Sequence, residues 1–189
     1  MGLTAGQIIE KADRKYPNAR LEEDKLYDIN TLNKDLHREF KIPAASSFEV
    51  LAGQPSYPTG IDTEKFISVV VNGTEYRPKK LMASSSWASR YYTNLGGFTI
   101  LHPPPETDGT MIVYHYGTPK DITKLSDIPS LHEDYHDIFI HYLCIQASEE
   151  QREDTMGNIF ISRYNDIEKS IMKNFQTPEV ITITNESGW

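Results

Sequence analysis

The residues of this chain with the clearest capacity for chemistry are two histidines and a glutamate within five positions. His132, Glu133 and His136 satisfy the pattern H-E-x-x-H. When that pattern lies on a helix, the two imidazoles are one turn apart and can bind Zn²⁺, while the glutamate activates a water molecule. Taken alone, the motif would indicate a zinc-dependent hydrolase using residues 132–136.

Three features of the surrounding sequence argue against a zinc site. Ser130 and Glu133 have the spacing of a capping box, which would give the glutamate a structural role at a helix start. Asp134 places a charge where proteases of this type usually have an uncharged residue. Phe139 and Tyr142 occupy the positions where the extended motif has Gly and His, so no third ligand follows at the usual spacing. We therefore predict no catalytic residue, no metal and no cofactor, and keep zinc hydrolysis as the alternative function.

The other reactive side chains have weaker contexts. Cys144 is the only cysteine, cannot form an internal disulfide, and lies beside an apolar stripe, which favours a core position in a reducing compartment. The serines at 84–86 lack the G-x-S-x-G elbow of a serine nucleophile, and Gly96-Gly97 lacks a phosphate-binding pattern.

Four helical segments would position these residues. Apolar residues recurring every three or four positions predict helices over 4–15, 22–40, 130–152 and 155–175. Proline follows the first two segments, and it rarely continues a helix. The apolar stripes of the last two segments should face each other as an antiparallel hairpin.

Between the helical pairs, residues 43–129 form a β-rich insertion. Asn72-Gly73 between apolar runs predicts a two-residue hairpin, because both residues tolerate positive φ. We predict an α+β fold, a helical bundle of about four helices with an antiparallel β-sheet of about four strands inserted between the second and third helices. Residues 1–175 would form a single domain, followed by an extended C-terminal tail at 176–189.

The charge distribution bears on possible partners. The 189 residues carry 27 acidic and 19 Lys or Arg side chains, a net charge of −8. Residues 131–175 alone carry nine acids and four bases. Without a basic stripe, the chain lacks the charges that grip nucleic-acid phosphates. We find no signal peptide and no apolar run long enough for a membrane span, so no membrane partner is expected.

Six segments follow one another in a distinctive order along the chain. They are INTLNKDL (29–36), VVNG (70–73), GFTILHPPP (97–105), DGTMIVYHY (108–116), IPSLHEDYH (128–136) and RYNDI (163–167). This order resembles the head-to-tail adaptor (connector, or head-completion) proteins of tailed bacteriophages, over roughly residues 3–175. The Tyr-His pair that opens the penultimate helix in that family is similar to Tyr135-His136, which explains His136 without zinc.

The resemblance implies a structural virion protein and not an enzyme. Such adaptors assemble as a ring, commonly of twelve copies, beneath the portal protein, where they continue the DNA channel and carry the tail or a stopper protein. The expected partners are therefore the portal, other copies of the chain and the tail or stopper, with DNA only as passing cargo. The expected location is the neck of the virion, assembled in the cytoplasm of the bacterial host. A binding module of the tail or capsid surface is a third possibility.

Three sets of residues are predicted to make these contacts. The β-capable residues Val180, Ile181, Thr182, Ile183 and Thr184 would add as a strand to the portal. The aromatic residues Trp87, Tyr91 and Tyr92, in the loop 79–95, would contact a neighbouring copy or the tail, or form a local lid on the sheet. The acids Glu149, Glu150, Glu153 and Asp154 would face the channel, or form a solvated helix end.

Overall fold

A computed structural model describes residues 2–79 and 90–175 of the chain. The chain divides into two compact units. The helical unit comprises the described residues of Met1–Lys41 and Thr118–Trp189, and the sheet unit comprises those of Ile42–Gly117. The sheet unit thus occupies the connection between the second and third helices.

The described residues form four α-helices and seven β-strands. The helices are α1 (Ala5–Lys15), α2 (Glu22–Phe40), α3 (Asp137–Gln151) and α4 (Asp154–Phe175). The strands are β1 (Pro43–Val50), β2 (Ser56–Pro58), β3 (Phe66–Val71), β4 (Thr74–Pro78), β5 (Tyr91–Leu95), β6 (Phe98–His102) and β7 (Gly109–Tyr116).

The first helix begins where the sequence supplies both halves of a cap. The Thr4 side chain accepts the Gln7 backbone N–H, and the Gln7 side chain accepts the Thr4 N–H. Each bond satisfies a backbone donor that the first turn leaves without a helical partner. The buried face of α1, which includes Ile8, Ile9 and Ala12, packs against α3.

The third helix begins later than the sequence pattern predicted. Its first residue is Asp137, and a short 3₁₀ helix at Glu133–Tyr135 precedes it. Ser130 does not cap it, because the Ser130 hydroxyl accepts the Lys120 N–H at 3.0 Å. The expected capping box was therefore wrong: Ser130 joins two parts of the preceding loop instead.

The third helix is the centre of the helical unit and contacts each of the other three helices. It is buried on several faces rather than along one stripe, with Ile138, Phe139, Leu143, Cys144 and Ala147 at most 2% exposed. A helix that is apolar around most of its circumference is buried, and here α3 packs among the more amphipathic helices α1, α2 and α4.

The predicted fold class, a helical bundle with a small inserted antiparallel sheet, was wrong. In place of about four antiparallel strands within a helical bundle, seven strands form a mixed sheet in the order β1-β7-β3-β4-β5-β6-β2, which curves into a nearly closed barrel. The β4 and β5 strands pair in parallel, and the other pairs are antiparallel. The barrel has its own core, made of Val50, Tyr57, Val69, Val71, Tyr76, Tyr92, Leu101, Met111 and Val113.

The predicted hairpin turn is present and makes a second contact. Asn72 and Gly73 have φ of 48° and 77°, and they join β3 to β4. The Asn72 side-chain oxygen also accepts the Thr110 N–H of β7 at 2.9 Å. A Cβ on Gly109 would lie 1.9 Å from that oxygen, so only glycine leaves room for the bond.

Candidate functional site

In the H-E-x-x-H segment, the second histidine has a structural role. His136 is 1% exposed, and both of its ring nitrogens bond to the backbone. Its Nδ1 accepts the Leu3 N–H at 2.9 Å, and its Nε2 lies 2.8 Å from the Leu131 carbonyl oxygen, to which it donates. A Cβ on Gly2 would lie 2.8 Å from this ring. The imidazole therefore anchors the segment before α1 to the start of α3.

The first histidine of the motif, His132, takes no part in these bonds. His132 is exposed, and its Nδ1 accepts the Asp134 N–H, a bond within the 3₁₀ turn. Because the segment is not an α-helix, the two imidazoles lack the spacing of one helical turn on which the zinc interpretation depends. No group of three or more His, Cys, Asp or Glu side chains suited to a metal ion occurs among the described residues.

The single cysteine is a core residue. Cys144 is 1% exposed, and its Sγ lies 3.8 Å from the Ala12 carbonyl oxygen. Burial raises the pKa of the thiol to about 11, so it is protonated at neutral pH. A protonated, buried thiol is a poor nucleophile.

The turn between α3 and α4 presents the four acids predicted to face a channel. Arg152 closes α3 in the left-handed region, at φ 57°, and the Glu153 N–H donates to the Ser148 carbonyl oxygen. Gly157 lets the helices approach, since a Cβ there would lie 3.0 Å from the Ser148 hydroxyl oxygen. This compact turn leaves the side chains of Glu149, Glu150, Glu153 and Asp154 exposed.

One of those acids has a cationic partner. Glu150 lies 2.8 Å from the Nε of Arg20, a side chain only 9% exposed that also binds Asp28 at 2.7 Å. Burial alone would lower the Arg20 pKa, but these two carboxylates raise it, so the guanidinium stays charged. The other three acids form no ion pair with any residue in the described ranges. The negative field of the turn therefore comes mainly from Glu149, Glu153 and Asp154.

The two tyrosines of the predicted aromatic interface have different environments. Tyr92 is 3% exposed in the barrel core beside Phe66, and burial together with Glu75 raises its pKa. Tyr91 is partly exposed, stacks on His102 at 4.7 Å between ring centroids, and carries the Lys79 ammonium over its ring. Of the two, only Tyr91 offers ring surface for a contact in this state.

The remaining predicted contact residues lie outside the described ranges. These are Trp87 of the aromatic set and the five residues of the tail, Val180, Ile181, Thr182, Ile183 and Thr184. Their assignments stay predictions.

The sequence analysis did not identify a pocket on the helical unit that is lined by two cationic side chains and a histidine. Lys15 of α1 and Arg163 of α4 line one pocket together with His141 of α3. The three residues are far apart in the chain and belong to no motif, so the sequence contained no spacing that could have joined them. The only available indication was the position of Arg163 one turn after Ile159 and Phe160 on an amphipathic helix.

The chain matches the sequence model of the family described as SU10 adaptor protein over residues 3–179, and it belongs to that family. The predicted relationship to phage head-to-tail adaptors is thereby confirmed. No curated protein sequence matches the chain.

Membership in the family defines the general function. The chain is a structural adaptor of a bacteriophage virion, and it interacts with other head and tail proteins. Across the described part of the chain, no helix has the length and apolar character needed to span a bilayer.

Proposed function

We propose that copies of this chain form a closed ring beneath the portal, where they connect the DNA-filled head to the tail or a stopper protein and continue the DNA channel. The observation that carries the proposal is the match of residues 3–179 to an adaptor family. The proposed partners are the portal protein, neighbouring copies, commonly twelve in such rings, and the tail or stopper. Assembly would take place in the host cytoplasm.

A ring of identical subunits needs two different patches on each copy, so that contacts repeat by rotation until the ring closes. We assign one patch to the aromatic residues Trp87 and Tyr91, with Tyr92 holding β5 from inside the barrel. The partly exposed Tyr91 ring, already stacked on His102, supports this assignment. Preordered aromatic rings lose little conformational entropy on contact.

We assign portal binding to residues 180–184. Their alternation of β-branched apolar residues and threonine suits addition as a strand to an edge of another sheet. Strand addition gains main-chain hydrogen bonds and needs no preformed pocket.

We assign the channel wall to the acids of the α3–α4 turn. Three exposed carboxylates that form no ion pair with any described residue support this role, because like charge discourages passing DNA from sticking. The effect would be local, since salt screens exposed charges within about 8 Å at physiological ionic strength.

The test is to mix the purified full chain with its portal and to examine the products by native mass spectrometry and negative-stain microscopy. We expect rings of the chain on the portal, and no rings on the portal with a variant lacking residues 176–189. A lasting absence of any portal complex with the full chain would refute the proposal. If the truncated variant still bound the portal, the role assigned to residues 176–189 would be wrong, and the rest of the proposal would stand. If it lost the portal but still bound another virion protein, the chain would be a binding module of the tail or capsid surface.

A further inference from the structure

Three helices of the helical unit line an open pocket that combines apolar and cationic side chains. Its volume is about 450 Å³, and its lining is Lys15 of α1, His141 of α3, and Ile159, Phe160 and Arg163 of α4. None of these residues belongs to the surfaces assigned above to the portal, the ring or the channel.

His141, which lines this pocket, has a buried ring nitrogen with no hydrogen-bond partner among the described residues. His141 is 7% exposed, and its Nδ1 is inaccessible to solvent and bonds to no described residue. The ring lies 6.3 Å from that of Phe160, between centroids. Because this atom is closed to solvent, a ligand in the pocket would act on the imidazole through its charge and not through a hydrogen bond to Nδ1.

The rim of the pocket is locally basic in a chain of net charge −8. Neither Lys15 nor Arg163 forms an ion pair within residues 2–79 and 90–175. A second depression, which shares Lys15, adds Lys11 and Arg14, and only Asp137 among its lining residues is acidic. Two cations with no ion-pair partner in the described part of the chain, beside an apolar floor, are complementary to an anion that carries an apolar group.

We propose that this pocket binds an acidic side chain of a partner protein, an Asp or Glu that has apolar residues next to it in sequence. The carboxylate would lie between Lys15 and Arg163, and the adjacent apolar side chain would pack on Ile159 and Phe160. The assignment goes beyond the proposed ring, since it concerns another surface, and rings could form with the pocket empty.

The chemistry of the pocket favours a protein carboxylate over a nucleic-acid phosphate. Phosphates along a duplex are bound by tracks of exposed cations that remain in water. Here the floor is apolar, and Asp137 lies at the adjoining depression, where it would repel a second phosphate. A single carboxylate on an apolar segment meets both the cations and the floor.

The charged groups around His141 give the binding a measurable signature. Burial lowers the pKa of His141, Lys15 and Arg163 lower it further, and Asp137 opposes them. A carboxylate entering the pocket would offset the two cations and stabilise the imidazolium. The pKa of His141 should therefore rise when the pocket is occupied.

The experiment titrates the isotopically labelled full chain with an acetylated and amidated pentapeptide, Ala-Leu-Glu-Phe-Ala, and with its Gln counterpart, monitored by NMR. We expect the Glu peptide to bind about tenfold more tightly than the Gln peptide, as judged by the ratio of their Kd values. It should shift the resonances of Ile159 and Phe160 and raise the pKa of the His141 imidazole.

Arg163→Gln should reduce the ratio of the two affinities to about threefold or less. The matched control is Lys169→Gln, which removes one charge from an exposed position on the same helix and should leave the ratio unchanged. Equal affinities for the two peptides, no binding of the Glu peptide at millimolar concentration, or an equal effect of both variants would overturn the proposal. So would a short DNA duplex that displaced the peptide from the same resonances, because the pocket would then be a phosphate site.

Discussion

Buried histidines of the helical unit differ in how the fold satisfies them. His136 has backbone partners for both ring nitrogens, and His37 has one, with its Nδ1 2.8 Å from the Asn33 carbonyl oxygen. His141 has none within the described residues. Burial lowers the pKa of His37, which its backbone bond partly opposes, and burial is also the main cause of the lowered pKa of His141. Folding therefore disfavours the protonated form of these two imidazoles.

A pH dependence of stability follows from those two pKa directions. Because the folded-state pKa of each is below the unfolded value of about 6.5, the unfolded chain takes up protons first on acidification. Their contribution to stability is complete above pH 6.5 and is lost as the pH falls towards the folded-state values. We expect the free energy of unfolding, from urea titrations between pH 8 and 5, to fall by up to about 1.4 kcal/mol per pH unit per histidine in that window.

Replacing both histidines by glutamine should flatten the slope. The control is His132→Gln, at an exposed position of the same unit. With this variant, the free energy of unfolding should depend on pH as it does in the parent chain. A double variant His37→Gln/His141→Gln with an unchanged slope would show that other groups cause the acid sensitivity.

At the scale of elements, the chain is predictable where pattern and packing agree. The periodicity over 4–15 and 22–40 coincides within one residue with α1 and α2, and the Asn72-Gly73 turn lies where the sequence predicts it. These features depend on local rules of capping, periodicity and positive φ. The third helix starts later than expected, because Ser130 bonds to a loop that the sequence alone does not bring near it.

The barrel was not predictable in the same way, because long-range pairing creates it. The β1 sequence, PAASSFEV, is poor in β-branched residues, yet all eight residues pair with β7 from Pro43–Tyr116 to Val50–Gly109. The β5 residues Tyr91 and Tyr92 pair in parallel with Arg77 and Pro78 of β4, a connection that no hairpin pattern indicates. Such strands take their conformation from neighbours, so β-propensity assigns them poorly.

The contact between the β3–β4 turn and β7 gives a prediction at this scale. Gly109→Ala should lower the free energy of unfolding by about 1–3 kcal/mol, because its Cβ would displace the Asn72 side chain from the Thr110 N–H. Chemical denaturation of the full chain measures the loss.

A second substitution tests the cause of that loss. Asn72→Gly keeps the positive φ of the turn and removes the clashing side chain, so the double variant Asn72→Gly/Gly109→Ala should lose less stability than the sum of the two single variants. If the losses were additive, Gly109 would be required for its backbone conformation and not because it leaves room for the Asn72 side chain.

At the scale of the whole molecule, the distribution of charge matters more than its total. Residues 131–175 carry nine of the acids, and the ion pair of Glu150 with buried Arg20 leaves Glu149, Glu153 and Asp154 as the acids of the turn without an ion-pair partner in the described ranges. The pocket around Lys15 and Arg163 is locally basic. The proposed acidic partner at one surface and the proposed repulsion of DNA at another both require such separated charges.

The last prediction tests the repulsive surface in the assembled complex. The triple variant Glu149→Gln/Glu153→Gln/Asp154→Asn removes three charges from exposed positions, while Glu150 stays in place to pair with Arg20. If the turn faces the channel, a portal complex carrying this variant should retain DNA about threefold to tenfold more strongly, measured by DNA release at several salt concentrations.

The matched control is Glu22→Gln/Glu23→Gln/Asp24→Asn, which makes the same change of charge at the exposed first turn of α2. Equal DNA retention by the two variants would place the acidic turn away from the path of the DNA, because a general change in net charge would then explain both results.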